Sequence, residues 1–412
     1  MKPQVMSQSR KTTNRYVVFV MLYLGWCVSY VDRVAINLSL ASISKDMHLA
    51  PAAMGLVLSS FFIAYAIMQL PGGWLADKYG SKKVIMLTLI LWSAFTVFTG
   101  FAWSLVSLIV IRFLFGIGEG AFPCASFKGI PEYFPRAERP RMISLLVSSN
   151  YTGSAIAPLL VAPLMLLFGW RNMFYIIGIV GCAYVLVYWV LVRPPAVQEE
   201  TAKTRTGQQV SVKELFRMPL MWQLVIAWFG LSLVNKGLDS WMPTYLLTVR
   251  HLDLKTVGVY TSIPFIAAGI STAIGGWVMD KFFDKKEKYL LILAGSMSVV
   301  FLYLMYASKD VGMFVLFESL LYFFKTLVLA SVLALPLKLL PGNIVGTATG
   351  IINTGGQAAG FVSPAIMGLM IGIFHGSYNA AFWFLIGAAC LSVAASLTIN
   401  SSGRVQLAGG TS

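Results

Sequence analysis

Residues 72–83 read GGWLADKYGSKK and residues 275–286 read GGWVMDKFFDKK, seven identities in twelve positions at an offset of 203 in a chain of 412 residues. The same offset lays Asn150, Gly153 and Ala155 of the run NYTGSA on Asn353, Gly356 and Ala358 of NTGGQA. A repeat of almost half the chain implies two homologous halves in parallel orientation. If the chain crosses a membrane, each half needs an even number of helices to keep both copies of the glycine-tryptophan-aspartate segment on one side.

Composition makes the membrane the expected solvent. Of the residues 58% are hydrophobic and 11% charged, and the mean hydropathy is +0.76. No compact water-soluble fold could bury so much apolar surface. The apolar stretches recur along the whole chain and must be helical, because lipid satisfies no backbone polar groups. Hydropathy and breakers predict helices over 16–43, 53–76, 84–103, 104–128, 141–168, 172–192, 221–248, 257–280, 288–308, 311–340, 344–374 and 378–399. The expected architecture is an all-α membrane protein: twelve transmembrane helices in two six-helix bundles, 1–192 and 221–399, with both termini cytoplasmic. Residues 193–220, with Arg193, Pro194, Pro195 and several charges, read as a cytoplasmic linker. Ser211 and Glu214 form a capping-box pattern at its end. Residues 400–412 read as a cytoplasmic tail.

The formal net charge of +15 could suggest a nucleic-acid partner. On this topology, however, 22 of the 31 basic residues fall on the cytoplasmic side, five outside and four (Arg33, Arg112, Lys236, Lys325) within helices. That is positive-inside bias and excludes a nucleic-acid patch. The first apolar segment is full length and carries Asp32 and Arg33, so no signal peptide is expected. Cys27, Cys124, Cys182 and Cys390 all fall in predicted helices, which argues against disulfides and metal clusters. His48, His251 and His375 lie near predicted outer helix ends, with no nucleophile-base arrangement beside them. An enzyme, a cofactor and a metal are therefore not expected.

In the first copy of the repeat, Gly73, Asp77, Lys78, Gly80, Lys82 and Lys83 resemble the signature loop between helices 2 and 3 of the major facilitator superfamily. The second copy keeps Gly276, Asp280, Lys281, Lys285 and Lys286 but has Phe283 in place of Gly80. Arg112 followed by Gly116, Gly118 and Gly120 resembles the family's helix 4 motif, and YFPRAERPR from Tyr133 its following loop. The chain is similar over its whole length to the anion:cation symporter branch, which includes bacterial carriers of galactonate, glucarate and hexuronates and vesicular carriers of glutamate and sialic acid. Four features carry this: Tyr30 with Asp32 and Arg33, MQLPGGWL from Met68, GEGAFP from Gly118, and WMPTYL from Trp241.

Eight ionisable residues fall within the predicted helices, each costing at least about 2.5–3.5 kcal/mol at a helix centre. They balance in sign: Arg33, Arg112, Lys236 and Lys325 against Asp32, Glu119, Asp239 and Glu318. Structural ion pairing is one reading of the set. In helix 1, however, Tyr30, Arg33 and Asn37 recur at helical spacing on one polar face, with Asp32 about 100° away. The arginine fork is matched to a carboxylate, so Arg33 is expected to grip an anionic substrate. Arg112 and Glu119, seven apart, share a face of helix 4. A glutamate at this place couples proton and substrate in the resembled symporters, so the resemblance assigns Glu119 that role, with Asp32 assisting.

The resemblance also implies that Asn150 and Gln357, with Asn353 at the repeat position of Asn150, stand where the branch carries amides that contact sugar hydroxyls; the other reading of Asn150 and Gln357 is that they tie helices together. Tyr65, Trp241 and Thr244 are candidates for the cavity wall. Lys236 and Asp239, one turn apart, read first as a pair that neutralises itself. If Lys236 instead faces the cavity, a second cation beside Arg33 would suit a substrate with two acidic groups. Gly73, Asp77, Lys78, Gly80 and Asp280 are expected to gate the cytoplasmic side.

The function this implies is proton-coupled import of a small organic anion, most plausibly an aldonate, uronate or aldarate, by alternating access in a bacterial inner membrane. The carrier is expected to act as a monomer. The alternatives are an organic-phosphate exchanger of the same fold and, from another class, a membrane sensor of sugar acids that does not transport them.

Overall fold

The computed structural model describes residues 14–193, 217–283, 286–339 and 345–399. The expected capping box at Ser211 and Glu214 and the expected tail lie outside these residues. Everything described is helix and short turn: α1 Arg15–Met47, α2 Pro51–Tyr79, α3 Ser81–Gly100, α4 Leu105–Gly120, α5 Phe122–Tyr133, α6 Arg139–Leu191, α7 Pro219–Thr248, α8 Leu254–Phe282, α9 Glu287–Ala307, α10 Val311–Leu339, α11 Val345–Ile373 and α12 Asn379–Thr398. Among the described residues ten helices are long and apolar enough to cross a membrane, with α4 and α5 counted as one span and α6 as another.

Local chemistry sets the boundaries. Pro51 and Pro219 occupy the first helical position, where a missing N–H costs nothing. Ser104 caps α4 by accepting from the Ser107 amide, and Asp253 caps α8 by accepting from that of Thr256. Gly80 joins α2 to α3 at φ +84°, a backbone region that favours glycine. The two segments predicted over 141–168 and 172–192 run together as α6, broken within by Gly169 at φ +75° and ψ 166°. His48, His251 and His375 all have left-handed φ of 51–54°. They sit where α1, α7 and α11 have just ended, which is turn geometry.

The start of α1 and the end of α12 lie toward the two cores that belong to single halves, with Val18 in one and Ile399 in the other; this is the terminal face. The packing differs between this face and the opposite one. Near the opposite face a single apolar core draws on both halves, joining Val34, Leu38 and Val57 with Trp241, Met242, Met367 and Ile371. Toward the terminal face the core divides. One part, around Leu22, Trp92, Phe115 and Leu146, belongs to the first half, and another, around Leu224, Leu290, Val328 and Ile352, to the second.

The halves meet through α2 against α11, α6 against α8, and α1 against α7. At the shared end the α2/α11 contact is backbone on backbone. A Cβ on Gly55 would lie 2.6 Å from the Pro364 carbonyl oxygen. Toward the terminal face, Gly73 on α2 and Gly350 on α11 have open space where a Cβ would be. The molecule is therefore closed at one end and split at the other. Its outer surface is apolar, with Leu70 86% and Leu167 75% exposed, as a lipid-facing belt requires.

Candidate functional site

Between the halves, just below the shared core, lies a cavity of about 60 Å³, enough for a few waters. Its wall includes Tyr30, Arg33, Asn37, Arg112, Lys236 and Asp239. α1 supplies the first three at helical spacing, as the sequence predicts. The shared core closes the cavity on one side.

Arg33 is the centre of the arrangement. Its Nε and Nη2 both donate to Oε1 of Glu119, at 2.9 and 2.7 Å, and the Ser29 hydroxyl donates to the same oxygen. The other carboxylate oxygen of Glu119, Oε2, is buried without a partner. Glu119 is 1% exposed and the Arg33 side chain 13%, so the pair is buried on the glutamate side and reaches the cavity on the arginine side. The guanidinium carbon lies 4.8–5.0 Å from the ring centroids of Tyr30, Phe61 and Tyr65, three rings that fix its plane.

The glycines of α4 make this possible. A Cβ on Gly116 would stand 2.5 Å from the Phe61 carbonyl oxygen, so only glycine lets α4 approach α2 closely enough to bring Glu119 to Arg33. Ser29 went unmarked in the sequence. Its spacing of four from Arg33, on the same helical face, was the available signal.

The other candidates separate. Asp32 is 2% exposed and turned away from the cavity to α3, where its Oδ1 accepts from the Thr96 hydroxyl at 3.0 Å. Arg112 borders the cavity but forms no ion pair with Glu119. Its Nε has no partner, and the guanidinium lies 4.4 Å from the Phe115 ring centroid. Tyr65 touches Arg33 without reaching the wall.

Trp241 and Thr244 are displaced from the expected site. They border a second cavity nearer the opposite face, with Lys45 and Tyr378, and the Trp241 indole donates to the Pro364 carbonyl at 3.1 Å. Lys236, Ser240 and Pro243 share the face of α7 that borders the central cavity, whereas Trp241, Thr244 and Thr248 lie on a neighbouring face that borders the second. Asn150, Asn353 and Gln357 do not border the central cavity. Asn150 is half-buried with an unpartnered Oδ1, Gln357 is half-buried, and Asn353 is exposed.

The expected neutralisation of Lys236 by Asp239 is also absent. No ion pair joins them. Asp239 accepts instead from the Tyr322 hydroxyl, and Lys236 stands 4.9 Å from the Phe62 ring centroid. Glu318 and Lys325 are likewise not paired with one another. Lys325 donates to Asn235 and lies over Tyr322, while Oε2 of Glu318 is buried without a partner.

Of the expected gating residues, Asp77 is 68% exposed and pairs with Lys128 of its own half at 3.1 Å. Lys78 lies 4.8 Å from the Trp74 ring centroid, and Gly73 and Gly80 face open space. Asp280 falls within α8.

The cavity wall thus carries three cations, Arg33, Arg112 and Lys236, and one carboxylate, Asp239. An anion is the ligand such a wall favours.

Comparison with known proteins places the chain. The sequence profile of the Major Facilitator Superfamily matches residues 22–364 and 261–408. The "Probable sulfoacetate transporter SauU" of Cupriavidus necator is 33% identical, covering 96% of this chain and 95% of that protein. The "Hexuronate transporter" of Bacillus subtilis is 28% identical, with 94% of each covered. The "Probable galactarate/D-glucarate transporter GarP" of Escherichia coli is 26% identical, covering 90% and 91%. Among solved structures, a bacterial homolog of the human lysosomal transporter Spinster, in an inward-facing and occupied conformation, superposes with a TM-score of 0.80 at 20% identity, covering 93% of this chain and 97% of that one. With this profile match and these relatives over nearly its full length, the chain is a multi-pass membrane transporter, not an enzyme, and belongs to the Major Facilitator Superfamily.

Proposed function

We propose that this protein is a proton-coupled symporter importing a small organic anion, a sugar acid in the first instance, across the bacterial inner membrane by alternating access. The Arg33–Glu119 pair carries the reading. It places a substrate-competent guanidinium and a protonatable carboxylate in direct contact at the cavity between the halves. Relatives named for hexuronate and for galactarate and D-glucarate support the substrate class.

Coupling follows from competition for Arg33. While Glu119 is ionised it occupies the guanidinium. A proton, for which the unpartnered Oε2 is the open acceptor, removes the charge that holds the arginine and frees it to bind an anion. The loaded carrier and the empty one then isomerise more readily than either half-loaded form, which is all that coupling requires. Asp32, next to Arg33 on α1 and hydrogen-bonded to Thr96 of α3, is the assisting carboxylate.

The membrane topology belongs to the same proposal. Counting α6 as two spans either side of Gly169, and adding α7 to the ten apolar spans, gives twelve. Residues 1–192 and 221–399 are the two bundles and 193–220 the link. Positive-inside bias puts the terminal face in the cytoplasm. The split end is then cytoplasmic and the conformation inward-facing. The carrier works as a monomer in the bilayer.

Uptake of radiolabelled glucarate, galactonate and glucuronate into proteoliposomes holding the purified protein tests this. At least one should accumulate under an inward proton gradient, and accumulation should collapse when a protonophore dissipates it. Accumulation indifferent to the gradient would overturn the symport reading.

A further inference from the structure

The offset of 203 that relates the two halves carries Arg33 of α1 onto Lys236 of α7. Both side chains border the same cavity, one from each half. Arg33 is engaged by Glu119 in this conformation. Lys236 has no acidic partner within ion-pair distance among the described residues. The carboxylate one turn away, Asp239, is taken by the Tyr322 hydroxyl, leaving the ammonium against the face of Phe62.

A half-buried lysine without a counter-ion is costly to keep unless a ligand supplies one. Arg112 adds to the imbalance, giving the wall two more cations than carboxylates. A ligand with one negative charge could satisfy Arg33 after Glu119 is protonated, but it would leave Lys236 bare. Such a site discriminates against monoanions by the unpaired charge it would leave behind, which is a stronger filter than lost contact area.

We propose that the substrate is a short dianion with an acidic group at each end, one held by Arg33 of the first half and the other by Lys236 of the second. The two cations differ in what they accept. The planar fork of Arg33 matches a carboxylate in two-point contact, whereas the compact ammonium of Lys236 imposes no plane and takes a carboxylate or a tetrahedral sulfonate equally. A dianion held in this way spans the two halves, so its binding energy draws them together around it. A monoanion lacks that second attachment.

The proposal rests on the organic-anion reading above, and the test separates the two. The purified full-length carrier is titrated with two matched pairs, glucarate against gluconate and sulfoacetate against isethionate, each pair differing by a carboxylate exchanged for a hydroxymethyl group. Ligand-induced thermal stabilisation gives the half-saturating concentration. At least one diacid should bind tenfold or more tightly than its monoacid partner. In Lys236→Gln the ratio should fall to near one, and in Lys236→Arg it should return. Monoacids binding as tightly as diacids to the wild-type protein would overturn the dianion proposal while leaving the anion reading intact, and so would a ratio unchanged in Lys236→Gln. If none of the four stabilises the protein, and none of the sugar acids named above is taken up, the anion reading itself fails and the dianion proposal with it.

Discussion

Arg33 and Glu119 are joined through a single oxygen: two guanidinium nitrogens and the Ser29 hydroxyl converge on Oε1, while Oε2 is enclosed without a donor. A carboxylate held so unevenly has one oxygen committed to structure and the other available to a proton. The predictions for this pair follow from that division of labour.

Glu119→Gln keeps the shape and an acceptor oxygen for Arg33 but cannot exchange a proton. The variant should lose uphill accumulation driven by a proton gradient, at least tenfold, while retaining substrate counterflow between equal pools. Proteoliposome assays of both modes on one preparation check this. Full accumulation would contradict the coupling role.

Arg33→Lys preserves the charge and removes the fork. Charge-assisted hydrogen bonds are worth about 1.5–3 kcal/mol each, so losing one of the two should weaken substrate binding by roughly tenfold or more. The three surrounding rings would also lose a planar partner. Binding within twofold of wild type would show that Arg33 does not hold the anion.

Gly55→Leu places a side chain where the Pro364 carbonyl stands. The opposite-face closure between α2 and α11 should fail, trapping the carrier open on that side. Transport should fall at least tenfold, and a cysteine introduced at Asn37 should become reactive to impermeant maleimide from outside. Wild-type turnover would mean that this contact is not part of the closed state.

Asp77→Asn removes the charge that pairs with Lys128, on a side chain 68% exposed at the terminal face. An exposed pair contributes little stability, so expression and melting temperature should be unchanged. The expected effect is on rate: slower turnover with ligand affinity within twofold. Unchanged turnover would remove Asp77 from the gate.

Fold-level features were open to reading from composition and the repeat, because apolar segments of membrane-crossing length and a 203-residue offset are properties of the chain itself. The Tyr30, Arg33 and Asn37 face of α1 was legible for a similar reason, since helical spacing alone puts those side chains together. The separation of Trp241 and Thr244 from Lys236 was legible as well, since Lys236, Ser240 and Pro243 fall on one face of α7 and Trp241, Thr244 and Thr248 on another, and the two faces meet different cavities. What spacing cannot foresee is competition. Lys236 and Asp239 are one turn apart, but the Tyr322 hydroxyl from α10 claims the carboxylate. The repeat offset, applied to Arg33, would have marked Lys236 as its counterpart.

The polar fastening of the closed end is light. Asn37 donates to the Asp239 carbonyl at 2.9 Å and Ser59 to the Phe361 carbonyl at 2.7 Å, two neutral side chains reaching main-chain oxygens across the divide. All four ion pairs of the described residues stay within one half. Each of those two bonds is worth on the order of 1 kcal/mol net, and water can stand in for either partner once the helices part. Unzipping that seam strands no charge; what opposes it is the apolar core shared by the halves, whose loss is offset only if comparable apolar packing closes the other face.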